Sequence, residues 1–162
     1  MTGKDVIKQA LEFSRMVTLS YIEDMSDADL LVRPVPTANH TAWQLGHLIA
    51  SEHGMVTALG HDLPPLPAGF PEQHTKETAR SDDPATFLGK AAYLDLMTKT
   101  RTATLAAIDQ TPENDLDKAA PEQLRDYAPT VAAVLAVLAA HELMHAGQCV
   151  TVRRKLGKPI LF

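Results

Sequence analysis

Apolar residues in this chain recur every three or four positions along four long stretches, and nowhere is the two-residue alternation of a sheet sustained. That period admits helices and little else. A first helix is expected from about Lys4 to Asp24, with Val6, Ala10, Phe13 and Val17 at heptad-like spacing. Ser26 to Leu30 reads as a capped short turn before the breaks at Pro34 and Pro36. Asn39 is the expected cap of a second helix that continues to about Leu59 and stops at Gly60. Asp83 and Pro84 mark the expected start of a third, the proline at its first position. It runs to about Asp109, with Phe87, Ala91, Leu94, Leu105 and Ile108 on one stripe. A fourth begins near Pro129 or Thr130 and ends before Gly157, with Pro159 beyond.

Four long helices predict an all-α fold, a four-helix bundle. The connection from Gly60 to Asp82 (HDLPPLPAGFPEQ at its centre) is long and proline-rich, which suits a crossover between parallel helices, a lid, or both. At 162 residues the chain reads as one domain, 1–162, long enough to bury a real core.

Charge and composition narrow the function classes. A net charge of −5 argues against nucleic acid, which requires a basic surface. The basic cluster Arg153, Arg154, Lys155 and Lys158 falls at a helix end, where cations complement the dipole. Cys149 is the single cysteine, so no internal disulfide forms. The stretch MTGKDVIKQALEF is amphipathic and lacks an apolar signal core, and the run Val131 to Ala140 is too short to span a bilayer. A soluble, cytoplasmic protein without membrane association is the expectation.

The chemistry concentrates in AAHELMHAGQCV. His141-Glu142-Leu143-Met144-His145 fits the HExxH pattern of zinc proteases. Residues four apart on a helix lie about 40° apart around its axis, so His141 and His145 can bind one metal together. They interrupt a core-facing seam of Thr130, Val134, Leu138, Gln148 and Val152. Neutral imidazole suits zinc, nickel, copper and iron alike. A zincin takes its third ligand downstream, yet AGQCVTVRRKLGKPILF holds neither histidine nor carboxylate. Cys149 would put all three ligands on one helix. The protease reading fails.

The third ligand must come from upstream, and spacing leaves His40, His47, His53, His61 and His74 open. His61 and His74 fall in the crossover, where solvated histidines are common, and His40 stands at a helix start, where a surface role is expected. His53 lies between two helix faces and is expected to be exposed. His47 is best placed, on a face with Trp43, Ala50 and Gly54 whose small residues leave room for a metal and a ligand. Trp43 reads as core, or as a wall of the pocket. Glu52 and Arg101 interrupt apolar stripes and would contact substrate or each other, or snorkel. Ala132, Ala136, Ala139, Leu143, Ala146 and Val150 form a small-residue seam opposite the histidines, open to packing within the bundle or across a homodimer.

TAWQLGHLIASE (Thr41 to Glu52), followed by HELMHAGQCVTVRRKLGKP (His141 to Pro159), resembles the DinB/YfiT-like superfamily. The resemblance implies an up-down-down-up bundle, commonly dimeric. It also implies a divalent metal, zinc or nickel, on His47, His141 and His145, with positions open to water or a small-molecule substrate. Similar proteins are described as metal-dependent hydrolases or thiol-dependent S-transferases, the latter using a low-molecular-weight thiol. Three neutral ligands leave the ion's charge intact, so it lowers the pKa of bound water to about 7 or stabilises a thiolate. Glu142 is a candidate base only if it can reach that water, against a packing or salt-bridge role. Gln148 would hydrogen-bond to a ligand histidine from behind or contact substrate, or would make a core hydrogen bond. A non-catalytic binding module is the alternative.

Overall fold

Each long helix begins where something can take over its unpaired backbone N–H groups. In the computed structural model, which describes residues 1–161, Thr2 caps α1 (Gly3–Ile22) and Asp5 returns the bond to the Thr2 N–H, closing a capping box. Ser26 and Asp29 repeat the box on the short α2 (Asp27–Leu30). The cap of α3 (Thr41–Ala58) is His40 rather than the expected Asn39, its Nδ1 accepting from the Trp43 N–H at 3.1 Å. Gly60 then stops the chain at φ +92°. The remaining helices are α4 (Lys90–Gln110), the short α5 (Glu122–Arg125) and α6 (Val131–Lys155), the last capped by Thr130.

The start of the third long helix departs from expectation. Asp83 and Pro84 open only one 3-10 turn, Pro84–Thr86. Phe87 follows in extended conformation, buried with its ring edge against His40. Helix α4 begins at Lys90, whose N–H is taken by Asp27 Oδ1 at 2.7 Å, from 63 residues earlier. The cap is tertiary, so no local signal marks it.

Side-chain contacts give the helices their senses. Ser14 meets Glu142 and Arg153 meets the Tyr21 carbonyl, so α1 and α6 run parallel. Lys8 meets Asp109 and Arg15 the Met97 carbonyl, so α1 and α4 are antiparallel. Gln44 meets His145 and Thr41 Cys149, so α3 opposes α6. Helices α3 and α4 therefore share one sense, and the segment 59–89 carries the chain back between their ends.

Two expected stripes are corrected. On α1, Val6, Ala10 and Phe13 face outward, while Ile7, Leu11, Ser14, Thr18 and Tyr21 are buried with Val17. On α4, Ala91 is exposed, Leu94 and Leu105 are half-buried, and Tyr93, Met97, Thr100, Arg101 and Thr104 lie inside with Ala107 and Ile108. In both helices the inner face contains polar residues, and a search for apolar periodicity slides to the wrong side.

Those polar residues form a layer across the middle of the bundle. One apolar cluster, including Ile22, Leu45, Phe70 and Tyr93, lies toward one end. Another, including Leu11, Val56, Ile108 and Leu135, lies toward the other. Between them Ser14, Glu52, Thr100, Arg101 and Glu142 are buried. Burying charge is costly unless it is paired, and here every charge is. Arg101 takes Glu52 through Nε and Nη2 at 2.8 and 2.9 Å and Glu142 through Nη2 at 2.8 Å. Arg15 reaches Glu142 at 2.9 Å and Glu52 at 3.7 Å.

Helix α6 is long and apolar enough, by length and composition alone, to cross a membrane. It instead serves as the core helix of the bundle, with Glu142, His145 and Arg153 among its buried residues. Its small-residue seam is split: Ala139 and Ala146 pack toward α1, while Ala136 and Leu143 are exposed. Of the basic cluster, Arg153 is fully buried, tied to Asp24 and the carbonyls of Tyr21 and Pro159. Lys155 and Lys158 hold the carbonyls of Arg33 and Asp24. The cluster closes the end of the bundle.

Candidate metal centre

Because α3 and α6 are antiparallel neighbours, His47 faces the pair His141 and His145 across their interface. Each ring offers one nitrogen, and these three atoms lie within 4.8 Å of one another. The Nε2 atoms of His141 and His145 are 3.1 Å apart. Nitrogens on one tetrahedral zinc, bonded at about 2.0–2.1 Å, sit about 3.3 Å from each other, so the cluster is of the right size. The rings cross at 64° to 88° rather than stacking, which turns their edges toward a common point. His145 is buried and the other two are half-buried, leaving one side open.

Hydrogen bonds fix which nitrogen two of the rings present. His47 Nδ1 faces the His74 carbonyl at 3.4 Å; a carbonyl only accepts, so Nδ1 carries the proton and Nε2 keeps its lone pair. His145 Nδ1 lies 3.2 Å from Gln44 Oε1, and the Gln44 amide is oriented by its own donation to the Asn39 carbonyl. Metal-binding histidines carry this kind of support on their second nitrogen. Trp43 stacks on His47, centroids 4.7 Å apart and planes within 7°, and donates to the Thr75 carbonyl. It is both core and wall.

Burial keeps the three rings neutral, the state in which imidazole binds metal. The pKa of His47 is lowered by burial and then by Lys76, and that of His141 by burial and then by His47. His145 is pushed down to about 3, by burial first and then by its two neighbours.

The other histidines have different work. His74 is buried, not solvated as expected: Nδ1 donates to the Phe70 carbonyl, and Nε2 accepts from the Tyr93 hydroxyl at 2.9 Å. Its ring lies on Gly46, where an added Cβ would come within 2.0 Å of it. The glycine before His47 is therefore required by the crossover, which seats the carbonyl that orients His47. His40 is likewise fully buried as the α3 cap, with Nε2 on the Ser81 carbonyl. His53 is half-buried, its ring on the Pro64 carbonyl, and His61 meets Thr111.

Glu142 is next to His141 in sequence but belongs to the charged layer. One oxygen takes Arg15, and the other takes Ser14 and Arg101. Burial alone would raise its pKa; the charges and hydrogen bonds of Arg15 and Arg101 outweigh that and lower it. Glu52 and Arg101 contact each other, one of the expected options. Gln148 is exposed and does not reach the histidines. The amide that does is Gln44, one turn before His47. The sequence reading missed it, although its i, i+3 spacing from His47 on the same helix is a usable signal.

Comparison with known proteins agrees with this architecture. A profile of the DinB superfamily matches residues 10–149. A crystal structure of a conserved protein from Enterococcus faecalis superposes with a TM-score of 0.75 at 20% identity, covering 98% of this chain and 99% of that one. None of the curated proteins searched matches. The profile spans most of the chain, including both histidine-bearing helices, and the protein belongs to the DinB superfamily.

Proposed function

We propose that this protein is a metal-dependent enzyme, a hydrolase or a thiol-dependent S-transferase acting on a small molecule. His47, His141 and His145 would hold a divalent ion, zinc or nickel. The observation that carries the reading is the convergence of three neutral ring nitrogens within 4.8 Å, two of them oriented through the opposite nitrogen. When bound, such an ion acts as a Lewis acid that activates water or a thiol near neutral pH. The chain's own part is to keep the rings neutral and aimed, to shield His145 behind Gln44 and Trp43, and to leave the other face accessible. Glu142 is assigned no step, since both oxygens are taken.

Elemental analysis of untagged protein tests this: one divalent ion per chain is expected, lost in His47→Ala and His141→Ala. Intact metal in either variant removes the ligand set. Turnover that requires an added low-molecular-weight thiol identifies the transferase; turnover without it identifies the hydrolase.

A second reading, a non-catalytic metal- or ligand-binding dimer, draws on the exposed apolar side chains Val6, Phe13 and Leu143 on the parallel helices α1 and α6. A homodimer through this face predicts a doubled mass in light scattering, reduced to monomer by Phe13→Glu; a monomeric wild type rejects it. A cytoplasmic location fits a chain whose one cysteine is free and buried.

A further inference from the structure

The two helices that carry the three histidines bring almost no charge to them. Among Asp, Glu, Lys and Arg, α3 holds Glu52 alone, and α6 holds Glu142 alone before Arg153. Both carboxylates are buried and taken by Arg15 and Arg101. Neither is free to meet a ligand at the open side of the centre.

The crossover supplies what the helices lack. It is fastened to α3 at the site by two bonds: Trp43 Nε1 donates to the Thr75 carbonyl at 3.0 Å, and His47 Nδ1 donates to the His74 carbonyl at 3.4 Å. Lys76 is the next residue. It lies in the bend between the 3-10 turns Glu72–His74 and Thr78–Arg80, exposed to solvent. The contacts that orient His47 therefore also place the Lys76 backbone. Its charge bears on His47 as that of no other Lys, Arg, Asp or Glu does.

The Lys76 ammonium also differs from its counterparts. Every other lysine ends on a backbone carbonyl or a carboxylate. Among the described residues Lys76 has no hydrogen-bond or ion-pair partner. The adjacent Glu77 carboxyl is kept below its ordinary pKa first by the Thr75 side chain and last by Lys76, and no ion pair joins the two. Arg80 and Arg154 are unpaired as well, but neither bears on any of the three rings.

A free cation is a poor neighbour for a metal ion. Three neutral imidazoles leave the charge of a divalent ion intact, and like charges repel unless an anion lies between them. With that anion in place, one repulsion gives way to two attractions. The flexible four-carbon stem of lysine lets the ammonium follow it. Removing Lys76 would take no contact from the fold.

We infer that Lys76 sets the specificity of the three-histidine centre: its ammonium holds the anionic group, such as a carboxylate, of a small-molecule substrate whose other end occupies the open side of the centre. The inference rests on the metal-centre reading, to which it adds the charge of the substrate and the residue that recognises it.

The test uses the whole zinc-loaded protein and two thiol probes of the same shape, 3-mercaptopropionate and 3-mercaptopropionamide, with affinities from calorimetry. Zinc stoichiometry is measured first in every variant. Lys76→Gln should weaken 3-mercaptopropionate about tenfold, the lower end for one hydrogen bond to a charged group, and leave the amide's affinity and the zinc content at wild-type values. Lys76→Arg should keep most of the carboxylate's affinity. Arg80→Gln removes an equal charge from the same segment and should change neither probe, which separates a held anion from a general field. A carboxylate unaffected by Lys76→Gln, both probes weakened alike, or an equal loss in Arg80→Gln overturns the inference and leaves the metal centre standing. A wild type that binds no zinc overturns both.

Discussion

Glu142 and His141 are neighbours on α6, yet they serve two polar regions with different logic. The charged layer of Arg15, Glu52, Arg101 and Glu142 closes on itself: two cations meet two anions, with Ser14 filling a remaining position. The histidine centre stays open. Its Nδ1 atoms on His47 and His145 are satisfied, while the Nε2 atoms of His141 and His145 approach each other to 3.1 Å. Uncharged rings with converging lone pairs are a poor structural device and a good ligand set. The difference separates a polar region that holds the fold from one kept ready for something else.

Mutations should therefore separate the two regions cleanly. The largest effect is expected from Arg101→Met, which leaves two buried carboxylates facing Arg15 alone. It should cost about 3–5 kcal/mol in denaturant unfolding, while the folded fraction retains its metal. Loss of metal without loss of stability would merge the regions. Gly46→Ala comes next, because the His74 ring must move away from the new methyl group. A cost of about 1–3 kcal/mol is expected, with weaker metal binding as the His74 carbonyl shifts from His47. Gln44→Leu should do the reverse of Arg101→Met. Metal affinity should fall about 10–100-fold by competition titration, with little change in stability.

Acid sharpens the comparison through two pH windows in the metal-free protein. The folded pKa of His145 is about 3, below the unfolded value of about 6.5. The unfolded chain therefore binds protons first, and stability declines as pH falls from about 6.5 toward 3. His40, His47, His74 and His141, also lowered by burial, act in the same direction. Glu142 has a folded pKa below its ordinary 4.5, so its contribution is intact above that value and is lost only as pH falls through the lowered one. Urea titrations across pH should show His145→Gln flattening the upper window and Glu142→Gln the lower. A single window altered equally by both variants would contradict the separation.

Much of this was legible in the sequence, for physical reasons. Four helices follow from period and breakers, and the His141–His145 pair follows from helix geometry. What lay hidden was tertiary. Asp27 caps α4 from a distant turn, so Asp83-Pro84 was the stronger local signal and the wrong one. Ser14 and Thr18 occupy the inner face of α1 because a polar layer runs through the bundle, so Val6 and Phe13 looked like core. The crossover histidine His74 looked solvated because nothing in its own segment reveals Gly46 and Tyr93 beneath it. His47 had to be singled out by its small neighbours and by resemblance, since spacing across two helices carries no register.

X-ray absorption spectroscopy on the zinc-loaded protein addresses the central claim most directly, because it counts the ligands. Three imidazole nitrogens at about 2.0–2.1 Å plus a light-atom ligand are expected, and His47→Ala, which should lose the ion, should show no three-imidazole shell. A sulfur shell from Cys149, or an unchanged imidazole count in that variant, would show that the three rings do not form the centre.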